Sequence, residues 1–395
     1  MPAVIVPSSC GSAELFRALR GAGAFEENAP GLALQIPERA HISESAAAFL
    51  CAWGLLEKKR GRAIHIGGRP DSLVLTGLLD HLHIPHTRPQ KLLDESVLPL
   101  RLISMDRDVA AACRDVRRLL TASMPEAGRC LPAVEWVISE LLDNVLLHAD
   151  AEVPGVIAAR YRQNQRLLEL TVVDVGRGIR ASLSERVALF SDGHAITEAL
   201  RRGVTRNEDV GQGNGLAGAR EIVRMNGGGL EIWSGTAVFR AEGETDKGFV
   251  VGPPVPGTGV MLSLRTDRAL DLEGTWIAQY RSTRFGTEAG EIEASARLRV
   301  AAETESTGTR GAARLLREKV RGELASRDTV TLDFTGTSTV SSSFLDELFG
   351  RLGKELGAAE LRRRIRVDGA PRALRSQAEA VLEQRLGEPA EDGSD

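Results

Sequence analysis

SELLDNVLLHA, residues 139–149, constrains this chain more than any other stretch. An α-helix turns by about 100° per residue, so positions i, i+4 and i+8 form one slowly drifting line. Glu140, Asn144 and His148 occupy that line, and Asp143 flanks it. Val137, Ile138, Leu141, Leu142 and Val145 fall on the opposite side. The helix must press an apolar back against a core while a carboxylate, an amide and an imidazole stand in front. Two readings fit: the polar line is solvated, as on an ordinary surface helix, or it faces a pocket. Asparagine is a poor helix former, and a carboxamide four residues from a carboxylate suits a hard cation such as Mg2+.

The chain has 395 residues, enough for roughly two to four domains. Hydrophobic residues make up 42% and charged residues 26%, a balance that supports sizeable cores. A net charge of −4 with only two Tyr and four Trp argues against the basic groove or stacking aromatics of a nucleic-acid surface. Cys10, Cys51, Cys113 and Cys130 show no metal-ligand spacing and read as scattered reduced thiols. The N-terminal MPAVIVPSSCGSAELF lacks a charged region followed by a long apolar run. No apolar run approaches the ~20 residues of a membrane span. The expectation is a cytoplasmic protein with no membrane or nucleic-acid partner.

Residues 1–88 alternate strands (VIVPS, LALQIP, AIHIGG) with helices (SAELFRALRGAG, SESAAAFLCAWGLLEKKRG, SLVLTGLLDHL), which predicts a small α/β domain. It carries no catalytic cluster. His65 alternates within a strand while His81, His83 and His86 sit at a helix end, so they read as structural. Residues 89–104, with Pro89 and Pro99, read as a linker, 105–268 as the central domain and 269–305 as a connecting segment. Residues 306–387 alternate helix and strand again, and the tail 388–395, GEPAEDGSD from 387, has nothing to bury and reads as disordered.

Three further motifs follow the polar helix. LTVVDVGRGI is apolar on both faces, as in a buried strand, and ends at Asp174 with Gly176 and Gly178 beyond it. A buried carboxylate needs a hydrogen-bond donor. The exocyclic amine of adenine would serve, and an Asp-initiated turn would also give this pattern. GQGNGLAGAREIVRMNGG places Gly211, Gly213 and Gly215 ahead of a helix, where free amides and the helix dipole favour an anion. It has neither a Walker lysine nor the tight strand-to-helix context of a Rossmann turn. PGTGVMLSL places Gly257, Thr258 and Gly259 ahead of an alternating strand.

In this order, the four motifs resemble the N box and the three glycine boxes of the GHKL superfamily, which includes gyrase, bacterial histidine kinases, MutL and the anti-sigma-factor kinases. The histidine four residues after Asn144 is similar to the anti-sigma-factor-kinase form of the N box. The resemblance covers about residues 105–264. It implies an α/β fold: a central GHKL α/β sandwich (the Bergerat fold) flanked by small STAS-like α/β domains. It also implies ATP and Mg2+ as cofactors and a polar stripe that faces the nucleotide pocket. Asn144 resembles the Mg2+ ligand, and Glu140 the catalytic residue that polarises the attacking water or hydroxyl. Asp174 would take the adenine amino group, with Gly176 and Gly178 shaping the pocket and Thr258 supporting it. Gly211, Gly213, Asn214, Gly215 and Leu216 would cradle phosphates, and His148 would line the phosphate side or cap the helix. Residues 180–212 would form a lid, on which Arg201, Arg202 and Arg206 read as a solvated face rather than as phosphate ligands. Neither a phospho-accepting dimerisation hairpin before the pocket nor a transducer domain after it is evident.

VTLDFTGTSTVSSSFLDELFG, residues 330–350, resembles a STAS-like domain of unknown function. In related STAS domains a serine at this helix start is phosphorylated by a GHKL kinase. Here Ser341, Ser342 and Ser343 fill the region, Ser341 replaces the usual acidic residue, and helix capping is the plainer role. The first domain shares only the strand–helix layout that would make it a second STAS-like module. Three functions compete: a nucleotide-driven regulatory switch working on a protein partner through the STAS-like domains, a protein serine kinase acting on its own or a partner's STAS serine, and a non-catalytic scaffold. Oligomeric state is left open.

Overall fold

The computed structural model describes residues 3–26, 31–68, 70–86, 96–123, 130–184, 187–201, 215–268, 270, 295–304, 306–327, 329–337, 340–370, 374, 377–378 and 380–381. It is mixed α/β and organised on three main sheets.

The central sheet is antiparallel throughout, in the order β6 (Val97–Ile103), β7 (Gly155–Arg162), β8 (Leu167–Asp174), β10 (Thr245–Arg265), β9 (Gly229–Glu242). Side chains alternate across a strand, and here both faces are buried. On β7, Ile157, Ala159 and Tyr161 enter one core while Val156 and Ala158 enter another. On β8, Leu168, Leu170 and Val172 face the first core, and Val173 and the following Val175 face the second. This two-sided burial explains why the stretch before Asp174 carries apolar residues on both faces.

The first core is closed by α5 (Asp106–Ser123), α6 (Leu131–His148) and α9 (Gly215–Asn226). The second is closed by the N-terminal unit. There β1 (Ala3–Ile5), β3 (Leu32–Gln35) and β5 (Ile64–Gly67) pair in parallel, and a short parallel pair joins β2 (Ser9–Cys10) to β4 (His41–Ile42). α1 (Ser12–Gly21) and α2 (Glu44–Lys59) lie between this layer and the central sheet. α2 starts cleanly because Ser43 Oγ accepts the amide N–H of Ala46 at 3.2 Å. It is buried on nearly all sides, as its run AAAFLCAWGLL demands. Phe16 packs edge-on at 4.3 Å from Phe49 and 5.2 Å from Trp233 of β9, joining the two units through one apolar cluster. All four cysteines are free and buried.

Several expectations change. Residues 97–103, read as part of a linker, form edge strand β6, with a bulge between Leu98 and Arg101 where Pro99 cannot donate to the ladder. The helix expected across 72–82 breaks at Gly77 (φ 72°) into α3 (Asp71–Thr76) and α4 (Leu78–His81). His81 Nε2 bonds the Leu100 carbonyl at 2.8 Å, a structural tie to β6.

The C-terminal unit has a parallel sheet β11 (Ser295–Arg299), β12 (Thr329–Asp333), β13 (Ile365–Asp368). Its first strand comes from the stretch read as a connecting segment. Helix α10 (Arg310–Ser326) and a helical run from α11 (Ser342–Leu345) through one π turn, Asp346–Gly350, into α12 (Arg351–Leu356) complete it. Its apolar core draws on residues 296–381 alone.

No helix among the described residues is long and apolar enough to cross a membrane. The expected tail, 388–395, lies outside the described residues.

Candidate functional site

A cavity opens between α6 and the inner face of the central sheet. Asn144 and His148 of α6 line it, as do Asp174 at the end of β8, Gly178, Gly215, Leu216 and Thr258. The sequence separates these residues widely, and the fold gathers them at one end of the sheet. Leu141, Val145, Val172, Ile179, Leu183 and Val260 supply apolar walls. The walls on α7 (Gly178–Leu183), together with Ser182, were not anticipated. Their spacing, i, i+3 and i+4 after Gly178, was the available signal.

The turn after β8 locks the cavity to α6. Arg177 N–H donates to the Ala149 carbonyl just past the helix, at 2.8 Å. A Cβ on Gly176 would meet that same carbonyl oxygen at 2.0 Å, so only glycine fits. The Gly176 amide then donates to Asp174 Oδ1 at 2.9 Å. Thr258 is the register partner of Asp174 on β10, and its amide lies close enough to favour the ionised Asp174 carboxyl. Burial pushes the Asp174 carboxyl up to about 6, against the two amides that favour its ionised form. Ser234, missed in the sequence, accepts Ile179 N–H at 2.9 Å and donates to the Gly257 carbonyl at 3.2 Å, pinning α7 to the β10 turn.

α9 begins at Gly215, against α6. A Cβ there would lie 3.0 Å from Asn144 Nδ2 and 3.4 Å from Glu140 Cβ. The helix start is thus held next to the amide expected to bind a cation. Gly211, Gly213, Asn214, Arg202 and Arg206 lie outside the described residues. Arg201 is ion-paired with Glu198 at 2.9 Å on the surface of α8 (Asp192–Ala199) and does not line the cavity.

Glu140 departs from expectation. It is buried and absent from the described cavity lining. Ser342 Oγ–H donates to its Oε1 at 2.6 Å, and the Ser342 amide donates to the same oxygen at 3.1 Å. The polar stripe of α6 is therefore divided: Asn144 and His148 face the cavity, while Glu140 and Asp143 face the C-terminal unit. Ser341 is the N-cap of α11, its Oγ accepting the Phe344 amide at 3.0 Å and pairing with Ser343 Oγ at 3.0 Å. Ser343 lies beside Asp143 and favours its ionised form. Burial raises both acidic groups, Asp143 to about 7, with Ser343 and Arg310 opposing the shift and Glu140 adding to it. Arg310, the first residue of α10, reaches Asp346 at 3.0 Å and Glu347 at 3.4 Å behind this contact.

The residues present fit an adenine nucleotide. Apolar walls flank a buried carboxylate that can accept an amine proton, and beside Asn144 a helix N-terminus approaches through a residue without a side chain. Among the described residues no group of three or more His, Cys, Asp or Glu could hold a metal. That suits a cation held by one amide and the nucleotide's own phosphates.

The geometry defines an α/β sandwich with a cavity under one helix. Residues 132–267 match the family of histidine kinase-, DNA gyrase B- and HSP90-like ATPases. Residues 312–370 match a STAS-like domain of unknown function. No curated protein and no solved structure matches the chain.

Proposed function

We propose that the protein is a nucleotide-driven regulatory switch whose output is the position of its C-terminal STAS-like unit and that unit's availability to a protein partner. One observation carries this reading: a single helix, α6, offers Asn144 and His148 to the cavity and Glu140 and Asp143 to the C-terminal unit. Asp174 would accept the adenine amine, Thr258 and Gly176 would hold that carboxylate in place, and Asn144 would ligate Mg2+. Gly215 and Leu216, with the preceding loop, would face the phosphates. Bound Mg2+ would neutralise charge on the triphosphate. Glu140, when turned to the cavity, would orient the attacking water and take its proton.

Calorimetric titration with Mg-ATP, alongside a phosphate-release assay, tests this. Asp174→Asn is expected to weaken binding by about 10- to 100-fold, the worth of a hydrogen bond to a charged group. Glu140→Gln is expected to keep binding and lose about 10²- to 10⁴-fold in phosphate release. Unchanged affinity in the Asp174 variant would contradict the assignment.

A second reading is favoured by the 2.6 Å contact between Ser342 Oγ and Glu140. It places a hydroxyl against a candidate base, as a serine kinase acting on its own STAS-like unit requires. It predicts an intact-mass gain of one phosphate on incubation with Mg-ATP, abolished in Ser342→Ala.

A further inference from the structure

We propose that the C-terminal unit is an inhibitory latch on the ATP site, holding Glu140 out of the cavity through Ser342. This rests on the nucleotide reading above and gives the switch its direction.

Glu140 is bound as a helix N-terminus binds an anion. Its Oε1 takes the Ser342 hydroxyl at 2.6 Å and the Ser342 amide at 3.1 Å. These donors open the helical run from Ser342 to Leu356, where amides lack intrahelical partners and the dipole is positive. A base must present a free lone pair to the proton it removes. Here Glu140 Oε1 accepts two donors, one of them a main-chain amide that cannot give up its proton. Glu140 and Ser342 are 7% and 8% exposed, which leaves no room for an attacking water between them. None of Ser341, Ser342 and Ser343 lines the described cavity, so the contact shown draws the base away rather than presenting a serine to the nucleotide.

The contact is built to open. Next to Glu140, Asp143 Oδ2 is buried with no hydrogen-bond partner among the described residues. An unsatisfied buried acceptor weakens the docked state. Further contacts across the interface are polar: Arg314 approaches Asp106 at 3.9 Å, and Gly308 packs against Ser139. The C-terminal unit keeps a closed core of its own and would leave intact.

The test uses the full-length chain as wild type, Ser342→Ala, Ser342→Glu and Arg314→Glu. Phosphate release, Mg-ATP affinity, intact mass and thermal unfolding are measured for each. Arg314 is 60% exposed on its side chain, so its reversal disturbs the interface without touching a core. Ser342→Ala is expected to raise phosphate release by about 10- to 100-fold, the shift in open population on losing one hydrogen bond to a carboxylate. Ser342→Glu is expected to raise it further, because a third carboxylate meets Glu140 and Asp143. Arg314→Glu should move it the same way by a smaller factor, and Mg-ATP affinity should rise along with release, because a nucleotide that opens the latch binds the opened state more tightly. Unchanged or lower release in all three variants, with folding and nucleotide binding intact, would overturn the latch. So would a phosphate on Ser342 in the wild type, which would make the contact productive. If no protein binds Mg-ATP, the nucleotide reading itself falls and takes the latch with it, a result distinct from binding without release.

Discussion

The two units flanking the ATP-binding domain are joined to it by opposite chemistry. The N-terminal unit shares one continuous apolar core with the outer face of the sheet, through Phe16, Phe49 and Trp233. The C-terminal unit buries its apolar side chains within itself and meets α6 through the hydroxyl and amide of Ser342 on Glu140. An apolar interface of core character is permanent, while a polar one between self-contained units opens at modest cost. The first unit therefore reads as part of the scaffold and the second as the moving part, which puts the STAS-like unit rather than the N-terminal one at the output of the switch.

Truncating the apolar interface should produce the largest effect. Phe16→Ala is expected to cost about 3–5 kcal/mol and to lower a single unfolding transition shared by the N-terminal unit and the central domain. Calorimetry showing two separate transitions would break the comparison.

Acidification comes next. Asp174 is pushed up to about 6, so it is protonated more readily in the folded chain than in the unfolded one. Lowering the pH from 7 toward 5 should add stability on its account, since the penalty of a buried charge is relieved. The same step should weaken Mg-ATP binding, by about tenfold per pH unit below 6, because the protonated carboxyl no longer offers both oxygens to an amine. His148 lines the same cavity, so Asp174→Asn is the control: that variant should lose the Asp174 part of the pH dependence in titrations across this range.

Salt should have the smallest effect. Arg314 and Asp106 lie at the rim of the C-terminal interface. Screening them is expected to speed amide exchange over residues 342–356 by about 2- to 5-fold, the worth of an exposed ion pair. Residues 44–59, held by apolar contacts, should not respond.

These regions were not equally readable in the sequence. The candidate residues were visible because each motif is short: Glu140, Asn144 and His148 within nine positions, Asp174 with Gly176 and Gly178 within five. Helical and strand periodicity give such clusters a shared face without knowledge of the fold. β8 was readable as a strand buried on both faces, but what covers each face was hidden, because an apolar run does not name the elements packed on it. α2 held the missing clue, since a helix apolar all round requires cover on two sides. β6 was obscured by Pro99, which an edge strand tolerates at a bulge. The division of the α6 stripe was invisible. Ser342 and Glu140 are 202 positions apart, and no local spacing relates them.

The most direct measurement is hydrogen exchange of the full-length protein with and without Mg-ATP, read over residues 342–356 and 44–59. The account predicts that the nucleotide raises exchange over 342–356 and leaves 44–59 unchanged, since only the polar interface shares α6 with the ATP site. Bound nucleotide with no change over 342–356, or with an equal change over both segments, would contradict it.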